Sequence, residues 1–215
     1  MIEDKLKETT LLFFELEYLK SDLISISNKD SNYFKIIVEN SPSFIRIYRN
    51  SFKLFVIELA KIVDSKEDFS LLKLVDYIIS NRKNLIWKNS EMKMSRLNFI
   101  REEIKKIEDL HLENIKNLRD KFYAHTDKDR HKIELIFSLQ IGFEILGTLR
   151  QFYEEIVLKI NNQHIAFSVF SSLTNEMVLL QRYKLIQKFI TTNLKEKGNI
   201  GELQKVRDIM LGKVE

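Results

Sequence analysis

The chain has 215 residues, 44% of them hydrophobic and 31% charged, which suits one sizeable core and excludes a wholly disordered protein. It contains no cysteine, which excludes disulfides and thiolate zinc sites and fits a reducing cytoplasm, and no apolar run nears the roughly 20 residues of a membrane span. The net charge of +4 is concentrated: Gln181 to Glu215 holds eight Lys/Arg against four Asp/Glu, and Asn81 to Lys106 eight against three, stretches that suit either a phosphate backbone or a solvated helix face.

The amino terminus, Met1-Ile2-Glu3-Asp4-Lys5, is acidic and polar where a secretory signal is basic and then apolar, so the expected location is cytoplasmic. No glycine precedes Gly142 and the only proline is Pro42, so the first two thirds lack the punctuation of hairpins, and apolar residues recur at helical steps. The expected fold is all-α. A first helix is expected over Glu3 to Ile26 and a short one over Ser31 to Glu39. Ser41-Pro42 then caps a third, with Phe44, Ile47, Tyr48, Phe55, Leu59 and Ile62 on one stripe, ending near Asp64. Ser65 to Phe69 reads as a turn, Ser70 to Ser80 as a fourth helix, and the following basic loop contains Trp87.

In the fifth helix Leu97, Ile104, His111, Leu118 and His125 are spaced by seven, with Ile100, Ile107, Ile115 and Phe122 beside them, so one apolar stripe ends in a histidine. Thr126 to Arg130 reads as a loop. A sixth helix is expected from His131 to Ile160, capped by Asp127 or Asp129, with Ile133, Phe137, Ile141, Ile145, Leu149 and Phe152 inward. A seventh spans Ala166 to Leu194, and an eighth follows Gly201 from Glu202 to Leu211.

The end of the fifth helix, Arg119-Asp120-Lys121-Phe122-Tyr123-Ala124-His125, brings together a fixed cation and a titratable imidazole. Arginine holds phosphate oxygens with a planar fork, and an unperturbed imidazole, with a pKa of about 6.5, gives and takes protons near neutrality. That pair can run an RNA transesterification without metal or cofactor. Six residues separate Arg119 from His125 by roughly 9 Å along a straight helix, so they do not converge on it. Either a turn after Ala124 swings the imidazole back, or two copies pair across a two-fold axis so that the Arg and His of both subunits meet.

These seven residues resemble the R-x(4-6)-H signature of the HEPN superfamily, including the polar residue after the arginine, and Tyr123-Ala124-His125-Thr126-Asp127 is similar to its U-type abortive-infection branch. Leu59-Ala60-Lys61-Ile62-Val63-Asp64 and then Phe69-Ser70-Leu71-Leu72 resemble that branch's helix, acidic turn and next helix. The resemblance covers residues 1–160 and implies an antiparallel helical bundle there, with residues 161–215 outside it as a C-terminal helical extension; the implied bundle forms a homodimer and often acts as a metal-independent endoribonuclease in toxin or phage-defence systems, with RNA as substrate and an antitoxin as possible partner. The roles it implies are His125 as general base or acid, Arg119 as stabiliser of the phosphorane, Asp120 orienting Arg119 or His125, and Tyr123 as a further hydrogen-bond donor.

Each residue also has a plainer reading. His125 closes a helix by bonding a carbonyl, Arg119 pairs with Glu113 or Asp120 at the surface, Asp120 is a solvated acid, Tyr123 is packing and Asp127 is a cap. A rival metal set, His125, Asp127, Asp129 and His131, alternates along the next loop and would share one side of an extended segment. The alternative function is a non-catalytic helical module that binds RNA, an antitoxin or a partner protein. No P-loop, dinucleotide fingerprint, nucleophile elbow or paired catalytic carboxylates stand out.

Overall fold

Local sequence sets the helix boundaries that can be followed through the chain. The structure is a computed structural model and describes residues 2–29, 38–39, 41–123, 137–167, 172–197 and 206. Among these lie α1 (Ile2–Ser27), α2 (Pro42–Val63), α3 (Leu71–Asn81), a 3-10 turn (Arg82–Asn84), α4 (Met94–Tyr123), α5 (Leu139–Asn161) and α6 (Ser172–Lys197), with no strand, so the protein is an all-α helical bundle. Pro42 opens α2 at the position where its missing N–H costs nothing. Ser70 caps α3 by accepting from the Lys73 N–H at 3.3 Å. α5 ends on Asn162, whose left-handed φ of 54° lets its N–H reach Leu158 O at 3.0 Å.

Two compact units divide the chain. The first comprises residues 1–20 and 50–169. In it Phe13, Leu16, Phe55, Leu59, Leu71, Ile78, Leu97, Ile100 and Ile104 are fully buried; each such side chain favours the folded state by roughly 1.5–3 kcal/mol before entropy is counted. Aromatic pairs lock the helices. Phe13 stacks on Tyr153 at 4.8 Å, Phe55 meets Phe143 edge-on at 5.4 Å, and Phe99 meets Phe152 at 6.3 Å. Ion pairs add specificity at the rim: Arg96 holds Glu155 through Nε and Nη2, Arg101 bonds Asp76, and Arg150 bonds the buried Glu17 at 3.0 Å.

The second unit comprises residues 21–49 and 170–215. Its core is small: Ile26, Val38, Phe44 and Met177, with Tyr48 and Leu173 packed against it.

Several boundaries differ from the sequence expectation. α5 starts at Leu139, because Ser138 sits extended at φ −98°, ψ 156° and its hydroxyl accepts the Ile141 N–H at 3.2 Å. Serine competes with the helical backbone in this way, so a helix does not run through Ser138; residues 131–136 of the expected helix lie outside the described residues. Ala166 and Phe167 are non-helical, since Phe167 is drawn onto Phe13 and Phe14 at 5.8 and 4.8 Å. Ile47, placed on the inner stripe of α2, is exposed. The helix expected over Ser31 to Glu39 lies outside the described residues except for Val38 and Glu39, and of the eighth only Val206, which is buried, lies within them. No helix among the described residues is long and apolar enough to cross a membrane.

Candidate active site at the end of α4

α4 carries the stripe that positions the motif. Leu97, Ile100, Ile104, Ile115 and Leu118 are buried, so the residues just after Leu118 are set around the helix by a fully packed face. Arg119 lies on the flank of that face, its side chain 29% exposed, and its Nε donates to Asp120 Oδ1 at 3.1 Å. Asp120 is exposed and is the only partner of Arg119 among the described residues. Among the described residues nothing engages the Nη groups of the guanidinium. α4 stays helical through Tyr123, which places Tyr123 one turn beyond Arg119 on nearly the same face. His125 lies outside the described residues, as do Asp127, Asp129 and His131 of the rival metal set. Among the described residues no three His, Asp or Glu side chains are grouped to hold a metal ion.

One turn before Arg119, α4 is fastened to the acidic turn that follows α2. Lys116 Nζ bonds Asp64 Oδ2, and Asp64 Oδ1 also accepts the Lys66 N–H at 3.0 Å. Glu108, two turns earlier on α4, accepts the Ser65 N–H at 2.8 Å. Asp64 is nearly buried, which by itself raises a carboxyl pKa; the hydrogen bonds from Lys116 and the Lys66 amide, helped by the charges of both lysines, outweigh burial and hold it below the usual carboxylate value. It is thus an ionised anchor for the helix that bears the motif.

The family model for HEPN proteins of the AbiU2 type matches residues 14–177, well over half of the sequence. The chain belongs to the HEPN AbiU2 family. No curated protein and no solved structure matches it significantly. The matched stretch of this AbiU2 protein takes in all of α2 to α5 and therefore both the Arg119 motif and its anchor.

Of the expected site residues, the structure brings Arg119 and Asp120 into contact and puts Tyr123 on the same helix. Of the two surface partners open to Arg119, Asp120 is the one it takes. Sequence reading did not find the Asp64–Lys116 and Glu108–Ser65 links. The signal for the first is slender: an acid directly after the apolar Ile62-Val63, and a lysine three residues before Arg119. Two clefts in the same unit, one rimmed by Glu8, Glu15, Glu58 and Glu67, the other by Lys7, Lys88 and His164, are lined by neither Arg119 nor Asp120.

Proposed function

We propose that this AbiU2 protein is a metal-independent endoribonuclease of the toxin or phage-defence kind. The ribose 2'-hydroxyl attacks the adjacent phosphorus and the bond to the 5'-oxygen breaks, leaving a 2',3'-cyclic phosphate and a 5'-hydroxyl. His125 takes the proton from the nucleophile or returns it to the leaving oxygen, and Arg119 stabilises the added charge of the phosphorane. Asp120 orients the guanidinium through Nε, and Tyr123 offers a further hydrogen bond. Two copies pair so that the motifs share one site, with residues 1–160 as the catalytic bundle and 161–215 as an extension. An antitoxin that covers this site in a cytoplasmic setting fits the same scheme.

The observation that carries the reading is the state of Arg119 within the matched HEPN region: fixed at Nε, partly exposed, and with its terminal donors unengaged among the described residues. Its pairing with Asp120 also favours the second reading, a non-catalytic module that binds RNA, an antitoxin or a partner protein, because that contact is an ordinary surface ion pair. The ends of the RNA decide between them. Products from incubation in chelator should carry 2',3'-cyclic phosphates and 5'-hydroxyls; intact RNA, or 5'-phosphate ends, would refute the transesterase.

A further inference from the structure

We propose that the groove between α1 and the end of α2 docks a basic amphipathic helix of a partner protein. This inference does not rest on the ribonuclease reading, and no residue of the Arg119 motif lines the groove.

One wall is a single face of α1. Leu11, Leu12 and Glu15 stand three, four and seven residues beyond Glu8, so two leucines lie between two carboxylates on one stripe. Leu11 is 55% exposed. The facing wall comes from the last turn of α2, with Glu58 and Lys61, and from the turn after it, with Glu67 and Phe69. Phe69 is 47% exposed, so a leucine and an aromatic ring are both left in water on one groove, as anchor pockets for a partner are. The groove encloses ≈ 330 Å³, the low end of the roughly 300–1,000 Å³ of small-molecule sites, which suits a few inserted side chains better than a cofactor.

Charge sets the chemistry of the partner. Lys61 is taken by Glu58, which it bonds at 2.6 and 2.8 Å, while Glu8, Glu15 and Glu67 have no side-chain partner among the described residues. This acidic rim belongs to a chain of net charge +4, so a cationic partner is drawn here and repelled by the molecule as a whole. The same three carboxylates repel phosphate backbones and anionic lipid headgroups. Neither wall has an unpaired strand edge, so the partner supplies side chains rather than a β-strand. A helix with leucine or phenylalanine at three and four residue steps, flanked by lysine or arginine, meets both the apolar floor and the acidic rim. The turn is already set before anything docks: the Glu67 N–H donates to Asp64 O at 3.0 Å, the Ser70 N–H to Glu67 O at 3.3 Å, and Lys73 Nζ to Lys66 O at 2.8 Å.

Fluorescence anisotropy of labelled peptides of about 18 residues, roughly five helical turns, titrated with the full-length protein tests the assignment. The probes are a leucine–lysine peptide with its leucines at helical spacing, a scrambled peptide of the same composition, and a leucine–glutamate counterpart. The first should bind saturably, the scrambled peptide at least about tenfold more weakly, and the glutamate peptide not at all. Glu8→Lys/Glu15→Lys should weaken binding of the first at least about tenfold, and Leu11→Asn, a single exposed change, should weaken it at an unchanged melting temperature. Absence of binding, equal binding of the scrambled peptide, or variants that bind as the wild type does would overturn the proposal. Sedimentation with phosphatidylserine vesicles that Leu11→Asn abolishes would assign the face to a lipid surface and overturn it as well.

Discussion

Replacing Asp64 by asparagine keeps the shape of the anchor and removes its charge, so it isolates the ion pair that ties the turn after α2 to the motif helix. The amide oxygen can still accept the Lys66 N–H, but the charge-assisted bond from Lys116 is lost. Asp64 is 6% exposed at its side chain and Lys116 28%. Deleting one partner of a fully buried pair costs about 3–5 kcal/mol, whereas exposed pairs are worth at most about 1. Because the lysine still sees water, we expect about 2 kcal/mol for Asp64→Asn and more for Asp64→Ala, which also abandons the Lys66 amide. Urea unfolding at neutral pH reads the difference as a shift in midpoint with little change in slope. The pH dependence supplies a second check. The folded pKa of Asp64 is depressed, so its stabilisation is present above the ordinary value of 3.8 and is lost as pH falls through the lower folded value. The gap between wild type and Asp64→Asn should therefore be constant from neutral pH to about 4 and close below it. Equal stabilities at pH 7, or a gap that closes already near pH 6, would refute this account of the anchor.

Two glycines in α5 predict opposite outcomes. A methyl group at Gly142 would stand 2.8 Å from Cε1 of the fully buried Phe55 and 3.1 Å from Phe137 Cζ, while at Gly147 nothing lies within 4 Å. Alanine gains roughly 1 kcal/mol of helix propensity at each site, and overpacking takes about 1–3 back at the first. Thermal melts should show Gly147→Ala above wild type and Gly142→Ala below it; a rise for both would mean that Phe55 yields. For Tyr153, burial pushes the phenol up to about 12, opposed by its hydrogen bond with Thr10. A raised folded pKa means that stability is intact below the unfolded value near 10 and is lost as pH climbs through about 12, by roughly 3 kcal/mol in all. Tyr153→Phe should cost roughly 1 kcal/mol at neutral pH, since the Thr10 hydroxyl, 2.8 Å from Leu6 O, can then donate to that carbonyl in place of the phenol, and should become the more stable protein by pH 12. Parallel stability curves across that range would contradict the assignment.

Much of the fold was legible because the apolar period of α4 is unusually regular: a stripe spaced by seven has one way to face inward, and Leu97, Ile104 and Leu118 do so. Pro42 and Ser70 were readable as starts because each acts on its own next turn. The start of α5 was harder, since Asp127, Asp129 and Ser138 are all competent caps by residue type, and Ser138 caps the described helix. Phe167 shows the same limit from the other side: its helical pattern lost to a place on the Phe13–Tyr153 cluster. At the site, the Arg119–Asp120 contact is between neighbours and could be anticipated. Asp64 and Lys116 lie 52 residues apart, and no period or cap connects them; only the docking of the turn on α4 does.

The most direct measurement of the central claim is RNA cleavage in excess chelator by the wild-type, Arg119→Ala and His125→Ala proteins, with total RNA and transfer RNA as substrates. The account predicts cleavage by wild type and a loss of about a hundredfold or more in each variant, the scale on which general acid–base and electrostatic groups act. Undiminished cleavage by both variants would contradict it.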